Sequence, residues 1–226
     1  PELFAENARL IRERVAKIAF CRMIGSRLDE LGQGAPVLAI LFGLLTYYAV
    51  RTTSFPRSWR LFAGATLVGE VLVEAGAHVR AGSHVEGPTI IGEGAEIGPN
   101  CYVRPSTSVG PRAKVGDACE VKNSILMEGT HVPHQNYVGD SILGERCNLG
   151  AGTKVANLRL DEANVRVLWR GTEVDTGLRK LGVIMGDDVK VGINASIDAG
   201  TIIGEGAFIG PGAAVRGNIA PRSRIF

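Results

Sequence analysis

"IGEGAEIGPNCYVRPSTSVGPRAKVGDACEV", residues 91–121, repeats one theme every six residues. Ile91, Ile97, Val103, Val109, Val115 and Val121 mark it, and the series extends back through Val85, Val79 and Val73 and forward to Met127. The position four after each aliphatic residue is also restricted, as in Ala77, Ser83, Thr89, Ala95, Cys101, Thr107, Ala113 and Cys119. Neither the helical period of 3.6 nor the strand period of two produces this spacing. Glycine often follows the aliphatic residue, as at Gly92, Gly98 and Gly110, which suits a backbone that turns in every hexad.

Repetition at six is the signature of a parallel β-helix, in which each rung buries its aliphatic residue against the rungs above and below. The fold expected is mainly β, a left-handed parallel β-helix of hexapeptide repeats over 66–226, preceded by a short helical N-terminal region over 1–65. The left-handed class closes one coil in three hexads, so residues eighteen apart stack roughly 4.8 Å from one another. Cys101 and Cys119 then lie inside as stacked thiols. Arg104 and Lys122, each one past an inward aliphatic residue, project from one face as vertical neighbours. Two stacked cations need anions. Glu86 and Glu120 could supply a salt-bridge ladder, which the spacing alone favours, or a bound phosphate could supply the charge, with Arg as a directed fork and Lys as a point charge.

The six-residue register is expected to fail between Met127 and Leu143 and again between Val155 and Met185. It resumes at Met185, Val191, Ile197, Ile203, Ile209 and Val215. Breaks in a solenoid map to loops, and such loops carry binding groups. The first break holds "HVPHQNY", residues 131–137. His131 falls where a small inward residue belongs and is expected to help end the register. His134 is a candidate proton acceptor near neutral pH. Metal binding is the other use of H-x-x-H, but His78 and His84, six apart, lie on adjacent faces, and no metal site is expected. The second break, 156–182, is rich in Arg159, Arg166, Arg170, Arg179 and Lys180 and reads as a charged surface excursion.

Bulk properties agree with a soluble protein. The chain has 226 residues, 45% hydrophobic and 21% charged, with a formal charge of +2. That balance, without a Lys/Arg block, speaks against nucleic acid as a partner. Cys21, Cys101, Cys119 and Cys147 form no C-x-x-C pair, as expected of reduced thiols in a cytoplasmic protein. In the N-terminal region Ile11, Val15 and Ile18 make one apolar stripe on a charged helix, and "RTTSFPRSWR" at 51–60 reads as a linker. The apolar segment 35–50 is short of the about 20 residues a membrane span needs. A buried helix is expected there rather than membrane contact. The chain opens on Pro1 rather than Met, as a processed or truncated product would.

The stretch "HVPHQNYVGDSILGERCNLGAGTKVAN" at 131–157, with "RP" at 104–105, "EVKNS" at 120–124 and "KLGVIMGDDVKVGINASI" at 180–197, closely resembles the acetyltransferase domain of N-acetylglucosamine-1-phosphate uridyltransferases, the archaeal branch most of all. The resemblance covers roughly residues 66–226. It implies acetyl transfer from acetyl-CoA, as co-substrate, to the amino group of glucosamine-1-phosphate, with galactosamine-1-phosphate also accepted by archaeal relatives. Carried over by motif, it makes His134 the general base. Arg104, Lys122, Tyr137, Asn148, Asn157 and Lys180 become sugar-phosphate contacts. Ala151, Ile193 and Pro211 fall on the acetyl-CoA side, with the Ala151 N–H turned to the thioester. It also implies a homotrimer with sites at subunit boundaries. The chain departs from bacterial members at Leu158, where they carry an aromatic residue, and at Ile193, where they carry a serine near acetyl-CoA. The first 65 residues hold no nucleotide-binding α/β domain or glycine-rich phosphate loop, although "PELFAENARLIRERV" faintly resembles the last helix of that half. No uridyltransferase activity is expected of this chain, and a separate uridyltransferase would be its partner.

Overall fold

A computed structural model describes residues 60–61, 64–169 and 171–226. The expected N-terminal helix and the apolar segment 35–50 lie outside the described residues. The strands are short, mostly of two or three residues, and wind around three parallel sheets of nine, eight and eight strands. The first sheet includes Lys114–Asp117, His131–His134 and Asn148–Leu149, and it reaches back to Arg60–Leu61, ahead of the expected start at residue 66. The second includes Glu120–Lys122, Tyr137–Gly139 and Lys154–Val155, and the third Ile125–Leu126, Ile142–Leu143 and Ile184–Met185. Each strand pairs with the strand one coil on, so the chain is a left-handed parallel β-helix of hexapeptide repeats. Among the described residues no helix is long and apolar enough to cross a membrane.

The aliphatic series lines the interior: Val85, Val103, Val109, Val115 and Val121 are all 0% exposed. The small residues four positions on fill the corners. At the corner between the second and third sheets these are hydroxyl residues that turn back onto the backbone. Thr89, Thr107, Ser124, Ser141 and Thr201 donate to the carbonyls of Glu86, Arg104, Lys122, Gly139 and Asp198, at 2.6–2.7 Å. A buried hydroxyl there costs nothing because its partner is built in. Cys101 and Cys119 are buried, as their spacing required. Burial pushes the Cys101 thiol up to about 11 and raises Cys119 and Cys147 as well.

The first expected break does not exist. Leu126, not Met127, enters the core, and the inward series continues through Val132, Val138, Leu143, Leu149 and Val155. The step is five residues at Val121–Leu126 and again at Val138–Leu143, so Leu126 pairs with Val109 and Leu143 with Leu126 at a spacing of 17. Both deletions fall at one corner, between the second and third sheets. There Asn123 and Asp140 replace a two-residue turn and take positive φ of 44° and 50°. His131–His134 and Tyr137–Gly139 are therefore strands rather than loop. Thr130 fills the inward place expected of His131, which is exposed.

The second break is real and leaves from the same corner one coil later. Ile142 and Leu143 pair with Ile184 and Met185, 42 residues on. The excursion is an antiparallel hairpin of Arg166–Trp169 with Thr172–Asp175. A bridge between Leu158 and Lys180 closes its base, and Val165, 0% exposed, packs it back on the solenoid at Gly200. Gly200 has φ +76°, and a Cβ there would meet the Arg166 carbonyl and Val165. The expected charged surface is present as pairs Arg159–Asp161, Arg166–Glu173 and Arg179–Glu162.

Candidate functional site

The irregular corner gathers side chains from three successive coils around one carboxylate, Asp140, whose side chain is 7% exposed. The Lys122 Nζ lies 3.0 and 3.3 Å from its two oxygens. The Asn123 Nδ2 donates to it at 2.8 Å, and the Asn157 Nδ2 makes a short hydrogen bond to it. The Asn157 Nδ2 also donates to the Tyr137 hydroxyl at 3.2 Å. This places Tyr137, Asn157 and Lys122 in one cluster, as expected, and adds Asp140 and Asn123, which sequence reasoning missed. The cluster exists because the corner is one residue short in two coils and the excursion opens in the third.

Gly139 is the floor. A Cβ there would stand 2.6 Å from the Asn157 Nδ2 and 2.7 Å from the Tyr137 hydroxyl, so the Tyr137 ring runs along its own strand over this glycine. Lys180 is exposed and lies beside Leu158 in the bridge that closes the excursion, next to Asn157.

Arg104 lies one coil below Lys122, its N–H bonded to the Val121 carbonyl. The stacking holds, and so does the ladder of carboxylates, with partners partly different from those expected. Arg104 pairs with Glu120 at 3.0 Å and Lys122 with Asp140. Glu86 instead accepts from the Tyr102 hydroxyl at 2.9 Å and contacts the His84 Nε2 at 3.1 Å, and these two partners hold its carboxyl below the ordinary range. The Arg104 guanidinium lies 5.7 Å from the Tyr102 ring centroid.

His134 ends its first-sheet strand at the other edge of the second sheet, exposed, with Asp117 as cross-strand neighbour. Its imidazole makes no hydrogen bond among the described residues. Two residues separate it from Tyr137, a reach of at most about 10 Å of chain. The His134 carbonyl accepts from Gly152, the Ala151 carbonyl from Asn194 and the Ile193 carbonyl from Gly212, at 2.8–3.0 Å. His134, Ala151, Ile193 and Pro211 therefore climb one corner of the solenoid, coil by coil. The Ala151 N–H is in no hydrogen bond among the described residues. Asn148 pairs with His131 on the first sheet and faces away from the Asp140 cluster. An open groove of about 720 Å³ lies on the second sheet above Tyr137, lined by Lys154, Ser196, Asp198 and Arg216. A smaller one of about 340 Å³, lined by Lys190, Phe208, Pro211, Arg224 and Phe226, flanks the corner on the first sheet. Among the described residues no group of three His, Cys, Asp or Glu side chains converges as metal ligands would.

The hexapeptide-repeat solenoid thus carries one histidine, His134, at one corner and the Arg104 and Lys122 cations near the next. Residues 182–217 match the family described as bacterial transferase hexapeptide (six repeats), and residues 85–189 match the GMPPB C-terminal domain. Among curated proteins, the segment is similar to the bifunctional sugar-1-phosphate nucleotidylyltransferase/acetyltransferase of Sulfurisphaera tokodaii, with 49% identity over 37% of this chain and 21% of that protein. It is also similar to the bifunctional protein GlmU of Methanocaldococcus jannaschii, with 52% identity over 37% of this chain and 20% of that protein. For GlmU of Methanococcus maripaludis the figures are 42%, 46% and 25%. The solenoid thus resembles the C-terminal acetyltransferase domain of archaeal GlmU-type enzymes, as its motifs indicated, and the matched segment spans a fifth to a quarter of each relative's length.

Proposed function

We propose that this chain transfers acetyl from acetyl-CoA to the amino group of a hexosamine-1-phosphate, glucosamine-1-phosphate or galactosamine-1-phosphate. The observation that carries the reading is one stretch of chain, His134 to Gly139, which ends a strand of the first sheet and turns the corner into a strand of the second. It joins an unpartnered, exposed imidazole at one corner to Tyr137, Asn157 and Lys122 at the next. Arg104 and Lys122 would hold the phosphate, with Tyr137, Asn157 and Lys180 at the sugar. Asn148, on the first sheet, would reach a sugar only through a neighbouring subunit, in line with the homotrimer the resemblance implies. Ala151, Ile193 and Pro211 would line the acetyl-CoA path, with the apolar floor and basic rim of the smaller groove suited to a nucleotide.

An amine attacks a thioester only as its free base. His134 would take the proton as the C–N bond forms and pass it to the departing thiolate. The free Ala151 N–H would donate to the oxyanion that develops on the carbonyl. Holding the two substrates at adjacent corners supplies the remaining advantage through proximity.

A second reading, a sugar-phosphate-binding or assembly module without turnover, draws on the fact that Arg104 and Lys122 already have carboxylate partners. Release of CoA thiol from acetyl-CoA, measured with each hexosamine-1-phosphate, separates the two. Sugar-dependent release that falls about 10²- to 10⁴-fold in His134→Ala supports the enzyme. No release from folded protein that still binds the sugar phosphate supports the module.

A further inference from the structure

We infer that Asp140 is a positioning residue that sets the hydrogen-bond polarity of the sugar pocket, making Asn157 an acceptor and Tyr137 a donor toward the ligand. The inference rests on the hexosamine-1-phosphate reading. An ionised carboxylate only accepts hydrogen bonds. Asn157 must therefore turn its NH₂ group to Asp140, and the same nitrogen gives its second hydrogen to the Tyr137 oxygen. Both donors of the Asn157 amide are then spent, and its Oδ1, in no hydrogen bond among the described residues, is what remains for a ligand. A phenol oxygen that accepts from Asn157 keeps its own O–H to give away.

Lys122 behaves likewise. Its ammonium has three hydrogens, and the two contacts to Asp140 leave one over. The pocket thus presents an acceptor at Asn157 and donors at Tyr137 and Lys122. A hexosamine-1-phosphate is complementary: hydroxyl and amine hydrogens for the acceptor, phosphate oxygens for the donors. Without the Asp140 charge nothing would stop the Asn157 amide from rotating by half a turn, which would reverse both Asn157 and Tyr137.

Asn123 completes the arrangement without touching the pocket's polarity. It donates to the other Asp140 oxygen at 2.8 Å, so the buried carboxylate is satisfied by three side chains, two from the coil before it and one from the coil after. Asp140 can hold this place because its corner is short and its φ is 50°, a conformation that Asp tolerates better than most residues.

The test compares steady-state kinetics of the full chain with Asp140→Asn, Tyr137→Phe and the double variant. In Asp140→Asn the KM for glucosamine-1-phosphate should rise about tenfold or more, the scale of one misplaced polar group, while the KM for acetyl-CoA stays within about twofold. Tyr137→Phe should add little on top of Asp140→Asn, because the donor it removes is already misdirected; two multiplying effects would overturn the inference. Should Asp140→Asn fail to fold, Asn157→Asp serves instead. A carboxylate at 157 would draw the Tyr137 O–H inward, so the sugar KM should rise at least as far as in Tyr137→Phe, and an unchanged KM would overturn the inference. Native turnover with an unchanged sugar KM in Asp140→Asn refutes the role of Asp140 alone. A native chain that neither acetylates nor binds either hexosamine-1-phosphate by calorimetry refutes the functional reading, and this inference with it.

Discussion

Replacing Leu126 and, separately, Met127 with alanine tests the corrected register. Leu126 is 1% exposed and stacks between Val109 and Leu143, whereas Met127 is only half-buried. Its backbone is fixed above and below by parallel ladders roughly 4.8 Å apart, so the coils cannot close over the lost side chain. Leu126→Ala should therefore lie toward the upper part of the usual range, about 3–4 kcal/mol, and Met127→Ala near 1 kcal/mol. With a urea m-value of about 1–3 kcal/mol/M, Leu126→Ala lowers the denaturation midpoint by roughly 1–3 M at fixed protein concentration and unchanged m. Equal losses, or a larger one for Met127→Ala, would mean that the chain keeps the strict six-residue step through this coil and that the short corner is wrong.

Two glycines separate contacts with backbone from contacts with mobile side chains. A Cβ on Gly116 would stand 1.9 Å from the Pro133 carbonyl, so Gly116→Ala should cost about 2–3 kcal/mol in chemical denaturation. Gly139→Ala meets only the ends of Asn157 and Tyr137; it should unfold within about 1 kcal/mol of the native chain yet raise the KM for the sugar phosphate. Alkylation of native protein at pH 8, read by peptide mass spectrometry, should leave Cys101, Cys119 and Cys147 unlabelled until denaturant is added, because burial raises all three thiols. The Glu86 carboxyl is held low by Tyr102 and His84, so its contribution is present above the ordinary Glu value of about 4.3 and is lost as pH falls through the depressed one. The melting temperature should decline less steeply on acidification in Glu86→Gln than in the native chain, and identical acid limbs would show that these hydrogen bonds are not formed in solution.

The solenoid was legible because a column of aliphatic residues at a fixed step leaves no other regular structure. The reading failed where the step changed by one. Met127 sits six after Val121 and is as apolar as Leu126, so a strict period selects the wrong neighbour and then finds a gap up to Leu143. Steps of five, six, six, five, six and six, from Val121 through Leu126, Val132, Val138, Leu143 and Leu149 to Val155, were in the sequence all along. The hairpin also left a trace, β-branched Val165, Val167, Thr172 and Val174 on the two sides of Arg170-Gly171. Motif resemblance indicated Tyr137, Asn157 and Lys122, and the structure brings them together. Asp140 was not legible, because its partners Lys122, Asn123 and Asn157 meet only once the shortened corner sets coils of 17 and 18 residues side by side. Asn148 was grouped with the sugar contacts, yet it stands on another face of the same chain.

The most direct measurement of the central claim is the fate of an isotope-labelled acetyl group. After incubation of the chain with carbonyl-labelled acetyl-CoA and glucosamine-1-phosphate or galactosamine-1-phosphate, NMR of the sugar fraction should show the label as an amide on the hexosamine nitrogen, absent when His134→Ala replaces the native chain. Label in an ester on a sugar hydroxyl, or no label in the sugar fraction from folded native protein, would contradict the account.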